Sequence, residues 1–202
     1  MKIILVRHGE TIENKEKSIL GHLPGHLSHK GKIQAKQVAK RLKKDEIDYC
    51  FSSDLKRAAD TAKEILNYHP ETKVVFTKQI RELCLGEMQG KSREDYNWPE
   101  FWKRLSRGWK PKSGELKKHF EYRVKNFWKK LSKDRRFRNK TILVVSHDGT
   151  LKKLFILILK KKREEVYQTH QKNTAVTIID IKNRKKNLIS YNCTAHFCYR
   201  IK

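Results

Sequence analysis

The chain has 202 residues, of which 37% are hydrophobic and 35% are charged. That length suits one domain with a sizeable core, and we expect residues 1–202 to form a single domain. Lysine and arginine total 48 against 22 acidic residues, a net charge of +26 that favours phosphorylated ligands or nucleic acid as partners. The basic residues are spread over the whole chain without a nucleic-acid motif, so nucleic acid is the less favoured partner.

The cysteines and the apolar runs bear on location. Four cysteines without C-x-x-C spacing indicate neither a zinc site nor a disulfide framework, and they fit a reducing cytosol. The apolar run after Lys2 is too short for a signal peptide, and residues 154–159 are too few to span a bilayer. We therefore expect a cytoplasmic protein without a membrane partner; its oligomeric state, monomer or dimer, stays open.

The first predicted element is a short buried strand at residues 3–6, which ends in Arg7-His8-Gly9. In open α/β sheets ligands bind at the carboxyl ends of strands, which makes Arg7 and His8 candidate site residues. Glycine at position 9 lets the backbone approach closely whatever they hold. Taken alone, the triplet is equally compatible with a solvated arginine and a histidine that caps the turn.

A loop at residues 21–28 leads into a helix that Ser28 is predicted to cap and that runs to about residue 44. A second short strand follows at residues 48–51. The next helix has Arg57 in its first turn, where the helix N-terminus already favours phosphate. Its predicted N-cap is one of three residues, Ser52, Ser53 or Asp54.

A third strand at residues 74–76 leads to Glu82, which lies in a loop. From residue 91 to about 113 aromatic residues crowd among basic ones, and we interpret this stretch as a small helical lid insertion. Its aromatic side chains are expected to form mainly a small core of their own, with one or two free to face a substrate. A long amphipathic helix is predicted at residues 115–131.

The most hydrophobic strand, residues 141–145, is predicted to be central and delivers His147 to another strand end. A helix at residues 151–159 follows it. Residues 175–181 and 188–192, joined by 182–187, predict a hairpin at the sheet edge. Strands that alternate with helices up to that hairpin indicate a three-layer α/β/α sandwich with a mostly parallel central sheet.

Two histidines, two arginines and one glutamate at such positions suit phosphoryl transfer. Guanidinium groups can neutralise phosphoryl oxygens, a neutral imidazole can attack phosphorus, and a carboxyl can protonate the departing oxygen. A metal hydrolase that uses both histidines is disfavoured, because no H-x-x-x-H or aspartate-rich spacing accompanies them. We expect neither a metal nor a cofactor.

Four blocks, in order, resemble the histidine phosphatase superfamily, the phosphoglycerate-mutase-like proteins: residues 2–11, 51–62, 81–90 and 147–150, within a resemblance over roughly residues 2–180. The resemblance implies a phosphatase that works through a phosphohistidine on His8, with Glu82 as proton donor. It also implies that Arg7, Arg57 and His147 hold the phosphoryl oxygens. Asn14 and Gly21 are the further expected substrate contacts.

The chain departs from the family pattern at residues 24–28, where Pro-Gly-His-Leu-Ser replaces a common Asp-x-Pro-Leu-Thr stretch. That change leaves the choice of substrate open. A phosphoglycerate mutase that uses the same residues is the nearest alternative. The family's bisphosphoglycerate-dependent mutases generally carry a longer insertion after the glutamate than residues 90–113 provide, so the phosphatase branch is preferred.

Overall fold

The computed structural model describes residues 1–183 and 185–198, and its centre is one six-stranded sheet. In chain order the strands are β1 Lys2–Arg7, β2 Tyr49–Ser53, β3 Lys73–Thr77, β4 Thr141–Ser146, β5 Val176–Lys182 and β6 Lys185–Cys193. They lie side by side in the order β3-β2-β4-β1-β5-β6. The first four in that order are parallel, whereas β5 runs antiparallel to both β1 and β6. The predicted mostly parallel sheet is therefore confirmed.

Seven α-helices lie in the described part of the chain: α1 Ile12–Lys15, α2 His29–Leu42, α3 Lys56–Leu66, α4 Trp98–Ser106, α5 Lys117–Lys133, α6 Asp148–Leu159 and α7 Arg163–Tyr167. Short 3-10 turns occur at Lys78–Ile80, Gly86–Met88, Arg93–Asp95, Arg135–Phe137 and Ala195–Cys198. None of the helices in residues 1–183 and 185–198 combines the length and apolar character needed to cross a bilayer.

The inner strands of the sheet are buried on both faces, which gives the three layers, whereas the edge strands β3 and β6 are partly or fully exposed. Side chains alternate along a strand, so Ile3 and Leu5 of β1 pack in a cluster with α5 and α6, while Ile4 and Val6 pack in another with α2 and α3. Strand β4 lies between β2 and β1 as the sequence predicts, because its run of Ile, Leu and Val has apolar partners on both sides.

The predicted caps have mixed outcomes. Ser28 caps α2 as expected, its hydroxyl accepting from the Gly31 N–H at 3.0 Å. The predicted side-chain cap of α3 is wrong, because the N-cap is Leu55 and no side chain caps the helix. The Ser53 hydroxyl lies instead against the His147 ring, and the Asp54 carboxylate accepts from Arg81 at 2.6 and 2.7 Å.

Helix α4 occupies the predicted insertion. Asn97 caps it by accepting from the Glu100 N–H at 3.1 Å, and Phe101 and Leu105 are buried against the core. The edge hairpin is present as β5 and β6. Arg184, in the predicted connection between them, lies outside the described residues.

Candidate active site

The site lies where the parallel strands end. Arg7 of β1 pairs in register with Ser146 of β4, so the next residues, His8 and His147, leave neighbouring strands side by side. Their ring centroids are 5.2 Å apart. A cavity of about 460 Å³ opens there, and every site residue expected from the sequence lines it: Arg7, His8, Asn14, Gly21, Arg57, Glu82 and His147. Residues distant in the chain are thus brought to one pocket.

His8 is 3% exposed, and one of its ring nitrogens is committed to the backbone. Its Nδ1 lies 2.7 Å from the Gly9 carbonyl oxygen, which can only accept, so Nδ1 carries the proton. The Nε2 lone pair is then the nucleophilic one. Burial, with the charges of Arg57 and Arg7, holds the pKa of His8 well below its usual value. The imidazole is therefore neutral at neutral pH.

The backbone around His8 is fixed from several elements. The Gly9 N–H donates to the Thr61 hydroxyl of α3 at 3.0 Å, and the Asn173 amide donates to the His8 carbonyl at 3.0 Å. A Cβ on Gly9 would lie 2.6 Å from the Gly31 carbonyl oxygen, so glycine is required for the start of α2 to pack behind the histidine. These contacts orient the imidazole toward the cavity without substrate.

Arg57 is only 1% exposed and is held by backbone carbonyls rather than by a carboxylate. Its terminal nitrogens donate to the Leu23 carbonyl at 2.6 Å and to the Gly21 carbonyl at 2.9 Å, while its buried Nε has no partner among the residues that the structure describes. Burial lowers the pKa of Arg57 to about 10, which still leaves it charged at neutral pH. Gly21, at a φ of +50°, thus serves the site through its carbonyl.

Arg7 and His147 complete the set of donors. Arg7 donates to the Gln171 carbonyl at 2.5 Å, and its buried Nε is without a partner. His147 Nε2 lies 2.9 Å from the Ser53 hydroxyl, and its buried Nδ1 also lacks a partner. Burial first, and then Arg57, lowers the pKa of His147 well below its usual value. A buried guanidinium N–H without a partner is costly, so the two arginines, whose Nε atoms have none among the described residues, make the arrangement suited to an anion.

Glu82 is the acid of the pocket. Its two carboxyl oxygens accept from the Leu83 N–H at 2.9 Å and the Gly149 N–H at 3.0 Å. Burial raises the pKa of Glu82 and outweighs the lowering by those N–H groups; the negative charge of Asp148 adds to the rise. A carboxyl with a raised pKa can hold a proton for a departing oxygen and later accept one.

The comparisons with known proteins agree with this geometry. The sequence model of the histidine phosphatase superfamily, branch 1, matches residues 3–194. This chain belongs to that family.

Its relatives include phosphatases of several kinds. A probable phosphatase of Schizosaccharomyces pombe is 32% identical over 80% of this chain and 75% of its own length. Phosphoserine phosphatase 1 of Hydrogenobacter thermophilus is 30% identical over 97% of this chain and 94% of its own. The crystal structure of the α-ribazole phosphatase of Shigella flexneri superposes with a TM-score of 0.82 at 27% identity, covering 96% of each chain. A phosphoglycerate mutase of Buchnera aphidicola, 28% identical over 94% of this chain and 82% of its own, is also a relative.

Arg123, which the sequence did not indicate as a site residue, supports the backbone around Glu82. Arg123 of α5 donates to the Arg81 carbonyl at 2.6 Å and to the Glu82 carbonyl at 2.7 Å. Its guanidinium also binds both carboxylate oxygens of Glu115, at 2.8 and 2.9 Å. Ser-Gly-Glu at 113–115 resembles a family block, which was a signal for Glu115, but nothing local marked Arg123.

Other pocket residues also escaped prediction. Asp148 pairs with the buried Lys152 at 2.9 Å, and α4 and α7 contribute Trp102 and Tyr167 to the lining. Asn14 lines the pocket too, although its Oδ1 accepts from the Thr11 N–H at 3.3 Å in a capping box. Among residues 1–183 and 185–198 no group of three or more His, Cys, Asp or Glu side chains is arranged to hold a metal ion.

Proposed function

We propose that this chain hydrolyses a small phosphomonoester through a phosphohistidine formed on His8. The observation that supports it most is the neutral His8 imidazole in a cavity that is also lined by Arg7, Arg57 and His147, whose buried Nε, Nε and Nδ1 atoms have no hydrogen-bond partner among the described residues. A phosphoryl group needs positioning and neutralisation of its oxygens, which these donors can provide. Membership of a phosphatase family supports the same conclusion.

Two displacements make up the proposed reaction. His8 Nε2 attacks phosphorus while the bond from phosphorus to the ester oxygen breaks, and Glu82 gives its proton to that oxygen. Water then attacks the phosphohistidine, Glu82 takes a proton from the water, and His8 leaves neutral as inorganic phosphate departs. Arg7, Arg57 and His147 hold the phosphoryl oxygens throughout. Asn14 and Gly21 line the same cavity.

The substrate class, the domain organisation, the cofactors and the location are also part of the proposal. Relatives named as phosphoserine and α-ribazole phosphatases support a small phosphorylated metabolite as substrate. We propose that residues 1–202 act as one domain with a lid at about 91–113, without metal or cofactor, in the cytoplasm. A nucleic-acid partner is not proposed, because a pocket that holds one phosphoryl group accounts for the cationic site residues.

The test is to trap the intermediate. Brief incubation with a ³²P-labelled phosphomonoester and an acid-free quench should leave a label that is stable to base and labile to acid. The His8→Ala variant should carry no label and should lose activity by about a thousandfold or more, because it lacks the nucleophile. His29→Ala, which changes an exposed histidine at the start of α2, is the matched control and should label normally. Undiminished turnover in EDTA is expected; a labelled His8→Ala protein would refute the assignment.

The mutase alternative has its own outcome. With 3-phosphoglycerate, we expect free phosphate without a comparable amount of 2-phosphoglycerate. Rapid isomerisation that depends on bisphosphoglycerate, with little phosphate released, would favour the mutase on the same residues.

A further inference from the structure

Helix α4 presents two different faces. Phe101 and Leu105, four residues apart, are 5% and 1% exposed and pack into the core. Trp98 and Trp102, also four residues apart, lie on the face that lines the cavity containing His8. The aromatic residues of the lid are therefore divided between an anchor for the helix and a wall of the active site.

The two indoles of that wall are held in place. The indole N–H of Trp98 donates to the Arg93 carbonyl at 2.8 Å. The Trp98 and Trp102 ring centroids lie 6.1 Å apart, with an angle of 35° between the ring planes. Trp102 packs edge-on against Phe101, at 5.0 Å and 82°. Yet Trp102 remains 43% exposed. A large aromatic side chain that is fixed by its neighbours and still open to the cavity is a suitable surface for a ring to stack on.

The cavity has room beyond the phosphoryl position. Its volume of about 460 Å³ is within the range of sites for ligands of drug size, which is more than one phosphoryl group requires. Ile19, Leu83 and Leu85 line it as well as the two tryptophans. The cavity thus combines the charged and titratable groups around His8 with apolar and aromatic side chains, and one further cation, Arg93, lines it with its guanidinium 5.1 Å from the Trp98 ring.

We propose that this wall binds the leaving group, and that the preferred substrate is a phosphomonoester whose alcohol carries an uncharged planar ring system. The inference rests on the proposed function, because it places the phosphoryl group at His8 and the ring against Trp98 and Trp102. It distinguishes such esters from phosphoserine or phosphoglycerate, whose leaving groups are small and charged and gain little from stacking.

The experiment compares two esters that carry either a naphthyl or a methyl group on the same ethyl chain. Both 2-(2-naphthyl)ethyl phosphate and propyl phosphate release a primary alkoxide, so the chemistry of the departing oxygen is matched. We expect a kcat/KM at least tenfold higher for the naphthyl ester. Trp102→Ala should reduce that preference by about 3- to 10-fold, the range for an aromatic pair, mainly through KM. Trp102→Phe should retain most of it.

A control and three outcomes make the test decisive. Tyr122→Ala, which removes an aromatic side chain that is 67% exposed on α5 and outside the cavity lining, should keep the full preference. Equal kcat/KM for the two esters in the unmodified protein would overturn the subsite while leaving the phosphatase intact. Hydrolysis of neither ester, nor of any other phosphomonoester, would overturn the proposed function itself. A preference for O-phosphoserine that disappears in Arg93→Ala would place an anion against the lid and refute the ring.

Discussion

The floor and the rim of the cavity differ in how deeply their side chains are buried. On the floor, His8, Arg57 and His147 are 3%, 1% and 1% exposed, and each has a hydrogen bond to a backbone carbonyl or to Ser53. On the rim, which includes the tryptophan wall described above, Trp102 is 43% exposed and His170 extends from a loop with most of its side chain in solvent. The floor is built on the ends of β1 and β4 and on the first turn of α3, and the rim on a short helix and loops.

That difference separates two tasks. Groups that stabilise a transition state must be held in place before the substrate arrives, and rigid strand ends provide this. Groups that select the leaving group need only contact it, so a small helix such as α4 can present them. We therefore expect floor substitutions to reduce kcat for every ester, and rim substitutions to change the order of preference among esters.

The largest effect is expected at Glu82, and it should depend on the leaving group. For an alkyl phosphate, Glu82→Gln should lower kcat by about 100- to 10,000-fold, because no acid protonates the departing oxygen. For 4-nitrophenyl phosphate, whose oxygen leaves unaided, the loss should be below about tenfold. Glu46→Gln, at an exposed glutamate before β2, is the control. Equal losses on both substrates would remove Glu82 from the role of acid.

The raised pKa of Glu82 predicts that the activity depends on pH. Because the pKa of Glu82 is raised, the carboxyl stays protonated to a higher pH than an ordinary glutamate, and kcat/KM should fall as the pH rises through that pKa. The Glu82→Gln profile should lack this decline. His8 should add no loss near neutral pH, because its lowered pKa keeps the ring neutral there.

A smaller effect is expected at Arg123, which contacts the backbone of Glu82 without lining the cavity. Arg123→Lys keeps the charge but loses the fork that bridges Glu115 and the carbonyls of residues 81 and 82. We expect kcat to fall about tenfold for alkyl phosphates, with little change in KM and less loss on 4-nitrophenyl phosphate. Arg136→Lys, at an exposed arginine paired with Asp134, is the control. A uniform loss on both substrates would indicate general destabilisation rather than positioning of Glu82.

The smallest effect concerns folding. The folded-state pKa of His147 is depressed, so as the pH falls below the unfolded value of about 6.5 the unfolded chain binds a proton that the folded chain does not. The stability from this histidine is present above that value and is lost as the pH falls toward its folded pKa. In urea unfolding, His147→Gln should flatten the slope of stability against pH by up to about 1.4 kcal/mol per pH unit. His119→Gln, at an exposed histidine of α5, is the control substitution. An unchanged slope in His147→Gln would contradict the depressed pKa.

Local sequence patterns predicted the strands and most helices, and the exceptions are informative. Ser53 and Asp54 looked like caps for α3, because a short polar side chain before a helix usually serves that purpose. Each is used elsewhere, Ser53 by His147 and Asp54 by Arg81, residues 94 and 27 positions away in the chain. Tertiary partners overrode the local preference, and no window around residue 53 contains that information.

Which residues reach the strand ends could be read from the sequence. Strands β1 and β4 each contain four consecutive apolar residues that favour burial, and each strand is followed directly by a histidine. The contacts of those residues depend on the fold. They include the distance of 5.2 Å between the two histidine rings, the hydrogen bonds of Arg57 to the Gly21 carbonyl and of Arg123 to the Glu82 carbonyl, and the position of Trp102 in the cavity lining. The physical reason is that burial is dictated by the hydrophobicity of a segment. The pairing of polar groups depends instead on which distant segments the folded sheet and its helices bring within hydrogen-bonding distance.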